Sequence, residues 1–151
     1  MNRKFVFGGN VKDFDRDLYD SARKSDWKGV YLAIENGATK WEYGLEGAAE
    51  AGDMEMIEYF IGKGAKDWDV AFLASVFSKD RQVIDFFISK EIERGEINLD
   101  EAIRQARLLR ENEAKINGDV AGYDGIVQYL KTKRSLPIYT RDTEEWSEES
   151  D

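Results

Sequence analysis

The segment Gly44-Leu-Glu-Gly-Ala-Ala-Glu-Ala-Gly-Asp-Met-Glu-Met-Ile-Glu-Tyr-Phe-Ile-Gly-Lys-Gly-Ala65 contains the pattern that decides the fold. Its first half places Leu45, Ala48 and Ala49 at i, i+3 and i+4, which is the spacing of one face of a short α-helix. Two of these three side chains are single methyl groups, which leave room for a neighbouring helix to come close. We therefore predict a short first helix that packs tightly against another helix.

The second half of the segment predicts a second helix with a defined start and end. Asp53 precedes the apolar run, and an aspartate there accepts hydrogen bonds from unpaired amides and interacts favourably with the helix dipole. Gly64 follows the run at the C′ position, where a positive φ costs little only for glycine. The unit is therefore a helix, a tight turn, a second helix and a glycine stop.

The same unit recurs along the chain at an interval of about 27 residues, which we call the repeat interval. Comparison of the chain with itself at this offset aligns Leu18/Leu45, Ala22/Ala49, Asp26/Asp53, Ile34/Ile61, Gly37/Gly64, Ala38/Ala65 and Trp41/Trp68. A further step aligns Asp53/Asp80, Ile57/Ile84, Phe60/Phe87, Ile61/Ile88 and Lys63/Lys90. Because the aligned residues include caps, stops and apolar positions, the interval predicts three units of one helical repeat.

These units resemble ankyrin repeats, with 44–52 similar to the first helix and 52–65 similar to the second helix and exit. The usual ankyrin period is about 33 residues, so each unit here is shorter by about six residues. The missing residues fall where the projecting β-turn finger would lie. The form Gly-Ala-x-x-Trp leading into Gly-Leu resembles the ankyrin-like repeats encoded by giant DNA viruses. The resemblance covers roughly residues 17–90 and lacks the usual Thr-Pro-Leu-His turn. It implies an all-α, ankyrin-like helical repeat solenoid with shortened fingers and three clear repeats.

The C-terminal part of the chain predicts a divergent fourth unit. Residues 98–101, Asn-Leu-Asp-Glu, have the capping-box pattern and open an apolar-periodic helix that reaches Leu109. Residues 122–130 resemble the second-helix phrase again. Between these segments lies an insertion, roughly 110–121, in which Asn117-Gly118 marks a turn.

The third unit has Glu91 where the glycine stop is expected, so we expect its second helix to continue to about Gly95. The predicted organisation is an N-terminal extension at 1–12, a repeat domain at 13–134 with units at about 17–43, 44–70, 71–95 and 98–134, and an acidic tail at 135–151.

Composition restricts the possible functions. The chain has no cysteine and no histidine, which excludes disulfides, zinc sites built on those ligands, and catalytic groups based on them. The formal net charge of −9 opposes binding to nucleic acids and anionic membranes, and favours a basic protein as partner. The apolar run Phe5-Val-Phe7 is too short for a signal peptide or a membrane span. We expect a soluble, cytoplasmic, monomeric protein without enzymatic activity, cofactor or metal.

The first strongly apolar residue of each predicted first helix serves as a reference for the positions that could contact a partner. In an ankyrin-like array, the residues one and five positions after this reference should lie on the concave face. These candidate partner-binding residues are Tyr19, Arg23, Glu46, Glu50, Leu73 and Phe77. Leu73 and Phe77 are apolar where the second unit is charged, which indicates either a partner-binding patch or a contact with the fourth unit.

Three tryptophans need separate interpretations. Trp41 and Trp68 recur at the repeat interval, which favours packing between units over a role as interface hot spots. Trp146 is the seventh candidate partner-binding residue, and it lies in the segment 141–151, which holds six acidic residues against one basic residue. That segment suits either a short linear motif that folds against a basic groove or a tail that only keeps the chain soluble.

Two functions of different classes fit these observations. The first is a non-enzymatic protein–protein interaction module, and the viral resemblance implies a protein that binds and sequesters or inhibits a host protein in the host cytoplasm. The second is a structural or assembly protein that acts by self-association or by stacking of repeats. A monomer in sedimentation would count against the second function.

Overall fold

A computed structural model of the chain describes residues 12–94, 98–118 and 120–135, which form eight α-helices and no β-strand. The predicted all-α class is therefore confirmed for these ranges. The chain divides into two compact units, residues 1–96 and residues 97–151. The expectations for residues 1–11 of the N-terminal extension, and for the acidic tail beyond Ser135 with Trp146, lie outside the described residues.

The first unit contains six helices, which we number in chain order. They are α1 (Phe14–Arg23), α2 (Trp27–Glu35), α3 (Trp41–Ala51), α4 (Met54–Lys63), α5 (Trp68–Ser78) and α6 (Arg81–Arg94). The first helices of the pairs begin at residues 14, 41 and 68, and the second helices begin at residues 27, 54 and 81. Helix starts therefore recur at the repeat interval that the sequence predicted.

Each second helix is capped by the aspartate that the sequence singled out. The carboxylate of Asp26 accepts a hydrogen bond from the Gly29 amide at 3.0 Å, and that of Asp53 accepts one from the Met56 amide at 3.1 Å. The carboxylate of Asp80 accepts from the amide of residue 82 at 2.9 Å. Substitution of such a cap by alanine typically costs about 1 kcal/mol, so these three residues fix where the second helices begin.

The residue before each capping aspartate has a left-handed backbone conformation. Ser25, Gly52 and Lys79 have φ angles of 55°, 73° and 57°. The left-handed region is costly for residues that carry a Cβ atom, yet two of these three residues are not glycine. The chain therefore reverses between paired helices through a turn of two or three residues, in which a left-handed residue is followed by an aspartate.

The predicted glycine stops are present at the ends of α2 and α4. Gly37 and Gly64 have φ angles of 115° and 106°. The next residue in each case, Ala38 or Ala65, donates its amide to a carbonyl five residues earlier, at 2.9 and 3.1 Å, which is the Schellman pattern. In the third pair Glu91 lies inside α6, which runs on to Arg94 as expected.

The first helices pack side by side, with α1 against α3 and α3 against α5, and each second helix packs on its own first helix. The leading residues Leu18, Leu45 and Phe72 are buried in this core. Gly47 allows the backbones of α1 and α3 to approach, because a Cβ atom at residue 47 would lie 2.5 Å from the Tyr19 carbonyl oxygen. Real Cβ atoms essentially never make such a contact, so the spacing of α1 and α3 depends on this glycine.

Acidic residues in the first turn of the first helices bind the loop of the following pair. The carboxylate of Asp15 on α1 accepts hydrogen bonds from the amides of Thr39 and Lys40 at 2.9 and 3.1 Å. The carboxylate of Glu42, at the equivalent position of α3, accepts one from the Lys66 amide at 3.3 Å. These carboxylates link consecutive helix pairs through backbone groups that would otherwise be left to water.

Trp41 and Trp68 occupy the first positions of α3 and α5 and are half-buried. The indole of Trp68 donates to the Ala65 carbonyl at 2.8 Å, and the Arg94 guanidinium lies 5.6 Å from its ring centre. The ammonium group of Lys63 lies 5.7 Å from the ring of Trp41. Both cations lie on the second helix of the same pair, so packing of the two tryptophans between units stays a prediction.

The second unit contains α7 (Leu99–Ile116) and α8 (Ala121–Arg134), which pack against each other. Asn98 caps α7 as expected and accepts a hydrogen bond from the Glu101 amide at 2.9 Å. Much of the predicted insertion is a continuation of α7, and the chain turns only at Asn117 and Gly118, where φ is 71° at the glycine. The expected capping box is not completed, because the carboxylate of Glu101 accepts a 2.9 Å hydrogen bond from the Arg104 guanidinium group. None of the helices in the described ranges is long and apolar enough to cross a membrane.

We expect Gly47→Ala to lower the free energy of unfolding by about 1–3 kcal/mol, since the new methyl group forces α1 and α3 apart. Gly62→Ala is the matched control, because residue 62 is helical and a Cβ atom there meets nothing within 4 Å. The control should gain about 0.5–1 kcal/mol through its higher helix propensity. Urea unfolding followed by circular dichroism measures both changes. Equal stability of the two variants would contradict the proposed close approach.

Candidate partner-binding face

Six of the seven sequence candidates lie on the first helices of the first unit, and three further residues share their surroundings. We call this set the first-helix face. It comprises Arg16, Tyr19 and Arg23 on α1, Tyr43, Glu46 and Glu50 on α3, and Val70, Leu73 and Phe77 on α5. Corresponding positions are one repeat interval apart, so the repeat itself places them on equivalent sides of their helices. The seventh candidate, Trp146, lies outside the described residues.

The α1 row of this face is basic and aromatic. The guanidinium carbons of Arg16 and Arg23 lie 5.2 and 6.0 Å from the centre of the Tyr19 ring. These distances are within the range of cation–π attraction. Arg16 also pairs with Asp20 one turn along α1, at 3.5 Å. Both arginines are therefore held by partners on their own helix.

Tyr19 connects the first two rows. Its hydroxyl group on α1 donates a 2.5 Å hydrogen bond to the Glu50 carboxylate on α3. Burial raises the pKa of Tyr19 to about 12, and the hydrogen bond to Glu50 and the charges of Glu50 and Glu46 act in the same direction. The phenol therefore stays neutral and remains a donor throughout the physiological range.

The α3 row carries two carboxylates one helical turn apart. Burial raises the pKa of Glu46, the charge of Glu50 raises it further, and Arg16 partly offsets both effects. Like charges at i and i+4 on a helix destabilise it by about 0.2–0.5 kcal/mol. In the part of the chain that the structure describes, neither carboxylate has a basic group within 4 Å. The α3 row therefore carries two carboxylates that form no salt bridge within the described ranges, although the charge of Arg16 acts on Glu46.

An open groove of about 390 Å³ runs between the α1 and α3 rows. It is lined by Asp13, Arg16, Tyr19, Tyr43 and Glu46. Two aromatic rings, two carboxylates and one guanidinium group thus surround a space that is open to solvent. Both rings already lie against cations of the chain itself, since Arg16 is 5.2 Å from the centre of the Tyr19 ring and Lys40 is 5.5 Å from that of Tyr43.

The α5 row is apolar. Val70 is 49% exposed and Phe77 is 38% exposed, while Leu73 between them is half-buried. Tyr43, which is 38% exposed, occupies the position on α3 that corresponds to Val70. The face therefore changes from basic and aromatic on α1, through acidic on α3, to apolar on α5.

The sequence reasoning named two positions in each row and missed the third. Arg16, Tyr43 and Val70 lie three residues before Tyr19, Glu46 and Leu73, which places each on the same side of its helix. The repeat interval could have revealed these positions, since the three missed residues are also one repeat interval apart.

A second exposed surface, on the second helices, was not predicted. The rings of Trp27 and Tyr31 on α2 and of Tyr59 on α4 lie within 5.3–6.0 Å of one another. Tyr31 and Leu32 are more than half exposed. These rings therefore form one aromatic cluster on the second helices.

Comparison with known proteins gives no match among family models, curated proteins or solved structures. In the described ranges, no group of three or more acidic residues could hold a metal ion.

Replacing Tyr19 with phenylalanine should lower the free energy of unfolding at pH 7 by about 0.5–1.5 kcal/mol, because the hydrogen bond to Glu50 is lost. The pKa of Tyr19 is raised on folding, so this stabilisation is complete below pH 10 and is lost as the pH rises towards 12. Thermal unfolding of both proteins between pH 7 and 11 measures the difference. A difference that grows with pH above 10 would contradict the assignment.

Glu46→Gln should raise the free energy of unfolding at pH 7, by on the order of 0.5 kcal/mol because the site is largely solvent-screened. The folded pKa of Glu46 is raised, so its charged form is the less favourable one. The gain should vanish as the pH falls through that pKa and the wild-type carboxyl group takes up its proton. Glu58→Gln on the exposed side of α4 is the control, and its free energy of unfolding should change little at pH 7 or at acidic pH. A pH-independent effect of Glu46→Gln would exclude the electrostatic explanation.

Proposed function

We propose that this chain is a non-enzymatic protein–protein interaction module and that the first-helix face is its binding surface. The single observation that carries the proposal is the combination, on three adjacent helices, of exposed apolar and aromatic side chains with two half-buried carboxylates that form no salt bridge in the described ranges. Interfaces commonly combine aromatic anchors with a polar surround. The face offers both kinds of group on a rigid support.

The same proposal includes an ankyrin-like solenoid with shortened fingers. It is supported by the paired helices, the repeat interval and the short connections at 36–40 and 64–67. Connections of this length contain no projecting hairpin. The binding surface usually formed by such fingers is therefore small, and the first helices must supply most of the contact area.

The resemblance to repeats of giant DNA viruses suggests the biological setting. In this proposal the module acts in the host cytoplasm and binds a host protein, which it sequesters or inhibits. Self-association is the competing role, in which exposed Tyr31 and the half-buried rings of Trp27 and Tyr59 would contact a second copy. Sedimentation at micromolar concentration separates the two, because the interaction module is expected to be a monomer.

The test is affinity capture from host cells with the wild-type chain, followed by measurement of the dissociation constant for the captured protein. Val70→Asp and Phe77→Asp place a charge in the apolar row and should weaken binding by about tenfold or more. Leu32→Asp is the matched control, since Leu32 is 55% exposed but lies on α2, outside the face.

Circular dichroism must show that all three variants are folded. Unchanged affinity of both α5 variants, or an equal loss in the Leu32 control, would refute the first-helix face as the binding surface.

A further inference from the structure

The first helix pair has a groove of about 410 Å³ between α1 and α2. We propose that the two phenylalanines of Phe5-Val6-Phe7, in the N-terminal extension of the same chain, fill this groove. The inference does not rest on the proposed function, because none of the residues that line the groove belongs to the first-helix face. It rests on the position of the groove in the repeat, on what fills the same place in the second pair, and on where the chain enters the groove.

The groove lies on the side of the first pair that corresponds to the packing side of the later pairs. Gly47 is the residue of α3 that lies against the backbone of α1, close to the Tyr19 carbonyl oxygen. The equivalent residue of α1, one repeat interval earlier, is Asp20, which lines the groove. The equivalent residue of α5 is Ala74, which is buried. The first pair therefore exposes the side by which the second pair packs on its neighbour.

The first pair also lacks the buried phenylalanine of the other two pairs. Phe60 in α4 and Phe87 in α6 are fully buried, and the equivalent residue of α2 is Ala33. In the second pair, the ring of Phe60 lies so close to Gly44 that a Cβ atom there would collide with it. The equivalents of these two residues in the first pair, Ala33 and Asp17, both line the groove. The groove is therefore the place that a phenylalanine ring takes in the second pair.

Apolar surface, more than charge, selects what the groove accepts. Leu32 lines the groove and is 55% exposed, so an apolar occupant would remove its side chain from water. The charged residues of the groove are Lys12, Asp17, Asp20, Lys24 and Asp26. Lys12 pairs with Asp17 at 3.2 Å, and Asp20 pairs with Arg16 at 3.5 Å. These charges nearly balance, so they give neither an acidic nor a basic occupant a clear advantage.

The point at which the chain enters the groove identifies the occupant. Lys12 lines the groove, and its salt bridge with Asp17 holds it against α1. Phe7 precedes Lys12 by five residues, and an extended chain advances about 3.3 Å per residue, so Phe7 can reach about 17 Å from Lys12. The groove follows α1 from Phe14 to Lys24, which is about 15 Å at a rise of about 1.5 Å per residue. Phe7 can therefore reach every part of the groove, and its short tether gives it a high effective concentration there.

The two phenylalanines suit one apolar groove because of their spacing. Residues i and i+2 of an extended chain project to the same side, so Phe5 and Phe7 can enter the groove together. Phenylalanine is also the residue type that fills the equivalent place in the second pair, where Phe60 is fully buried. The segment thus offers, at the end of a short tether, the side chain that α2 does not supply.

The experiment measures how strongly the folded chain protects this segment from trypsin, which cleaves after Arg3 and Lys4. The rate of this cleavage in the full chain is followed by mass spectrometry. The same rate is measured for a synthetic peptide of residues 1–12 with the same substitutions. The ratio of the peptide rate to the full-chain rate is the protection factor, which reports how rarely the segment leaves the groove.

Four proteins are compared with the wild type. Phe7→Ser removes a ring from the segment, Leu32→Ser removes apolar surface from the groove, and Ala33→Phe supplies the ring that the second pair has. Glu35→Phe is the matched control, since it adds the same ring to an exposed position of α2 that does not line the groove. Circular dichroism must show that each variant is folded.

We expect a wild-type protection factor of about ten or more, which falls to near one in Phe7→Ser and in Ala33→Phe. Leu32→Ser should lower it about threefold or more, because less apolar surface is buried. Glu35→Phe should change it less than about twofold. The double variant Ala33→Phe/Phe7→Ser should lose no more protection than either single variant, since both substitutions remove the same contact.

A wild-type protection factor near one would overturn the proposal. So would full protection in Ala33→Phe, additive losses in the double variant, or an equal loss in Glu35→Phe, because the segment would then pack elsewhere. Protection that rises with protein concentration would assign the groove to a second copy and exclude the intramolecular contact. If Ala33→Phe does not fold, Leu32→Ser decides the matter, because Leu32 is more than half exposed and its replacement leaves the core intact.

Discussion

The turn between paired helices is the constraint on which the rest of the first unit depends. A left-handed residue at 25, 52 and 79 directly precedes the aspartate that caps the next helix. Because this pair of residues recurs at the repeat interval, every second helix returns onto its own first helix. The first helices are then free to pack against one another, and Gly47 sets how closely the first two can do so.

This regular support explains why one surface carries three different chemistries. Residues at equal positions in the repeat are held in equivalent places, whatever their side chains are. The capping position is an aspartate in all three pairs, and the leading core position is always a large apolar residue, whereas the positions of the first-helix face differ in charge and polarity from one pair to the next. The rows on α1, α3 and α5 can therefore be basic, acidic and apolar without any change in the backbone that carries them.

The sequence predicted the features that depend on a single residue type. Aspartate caps, glycine stops and the run of α6 past Glu91 all follow from local chemistry that a residue name reveals. It did not predict the left-handed conformation of Ser25 and Lys79, because neither residue type signals it. It also missed that Asp15 and Glu42 accept amides from the following loop, since that contact requires knowing which segments lie side by side. One face residue per first helix was also not predicted, because the prediction took only the positions one and five residues after the leading apolar residue.

The acidic residues at the start of the first helices distinguish the third helix pair from the first two. Asp15 and Glu42 each accept amides from a loop that opens the next helix pair, and Asp69 occupies the same position in the third pair. In the part of the chain that the structure describes, Asp69 accepts no such bond, and the residues that would form its loop are helical in α6. The carboxylate that joins each of the first two pairs to its successor is thus exposed to solvent on the third pair.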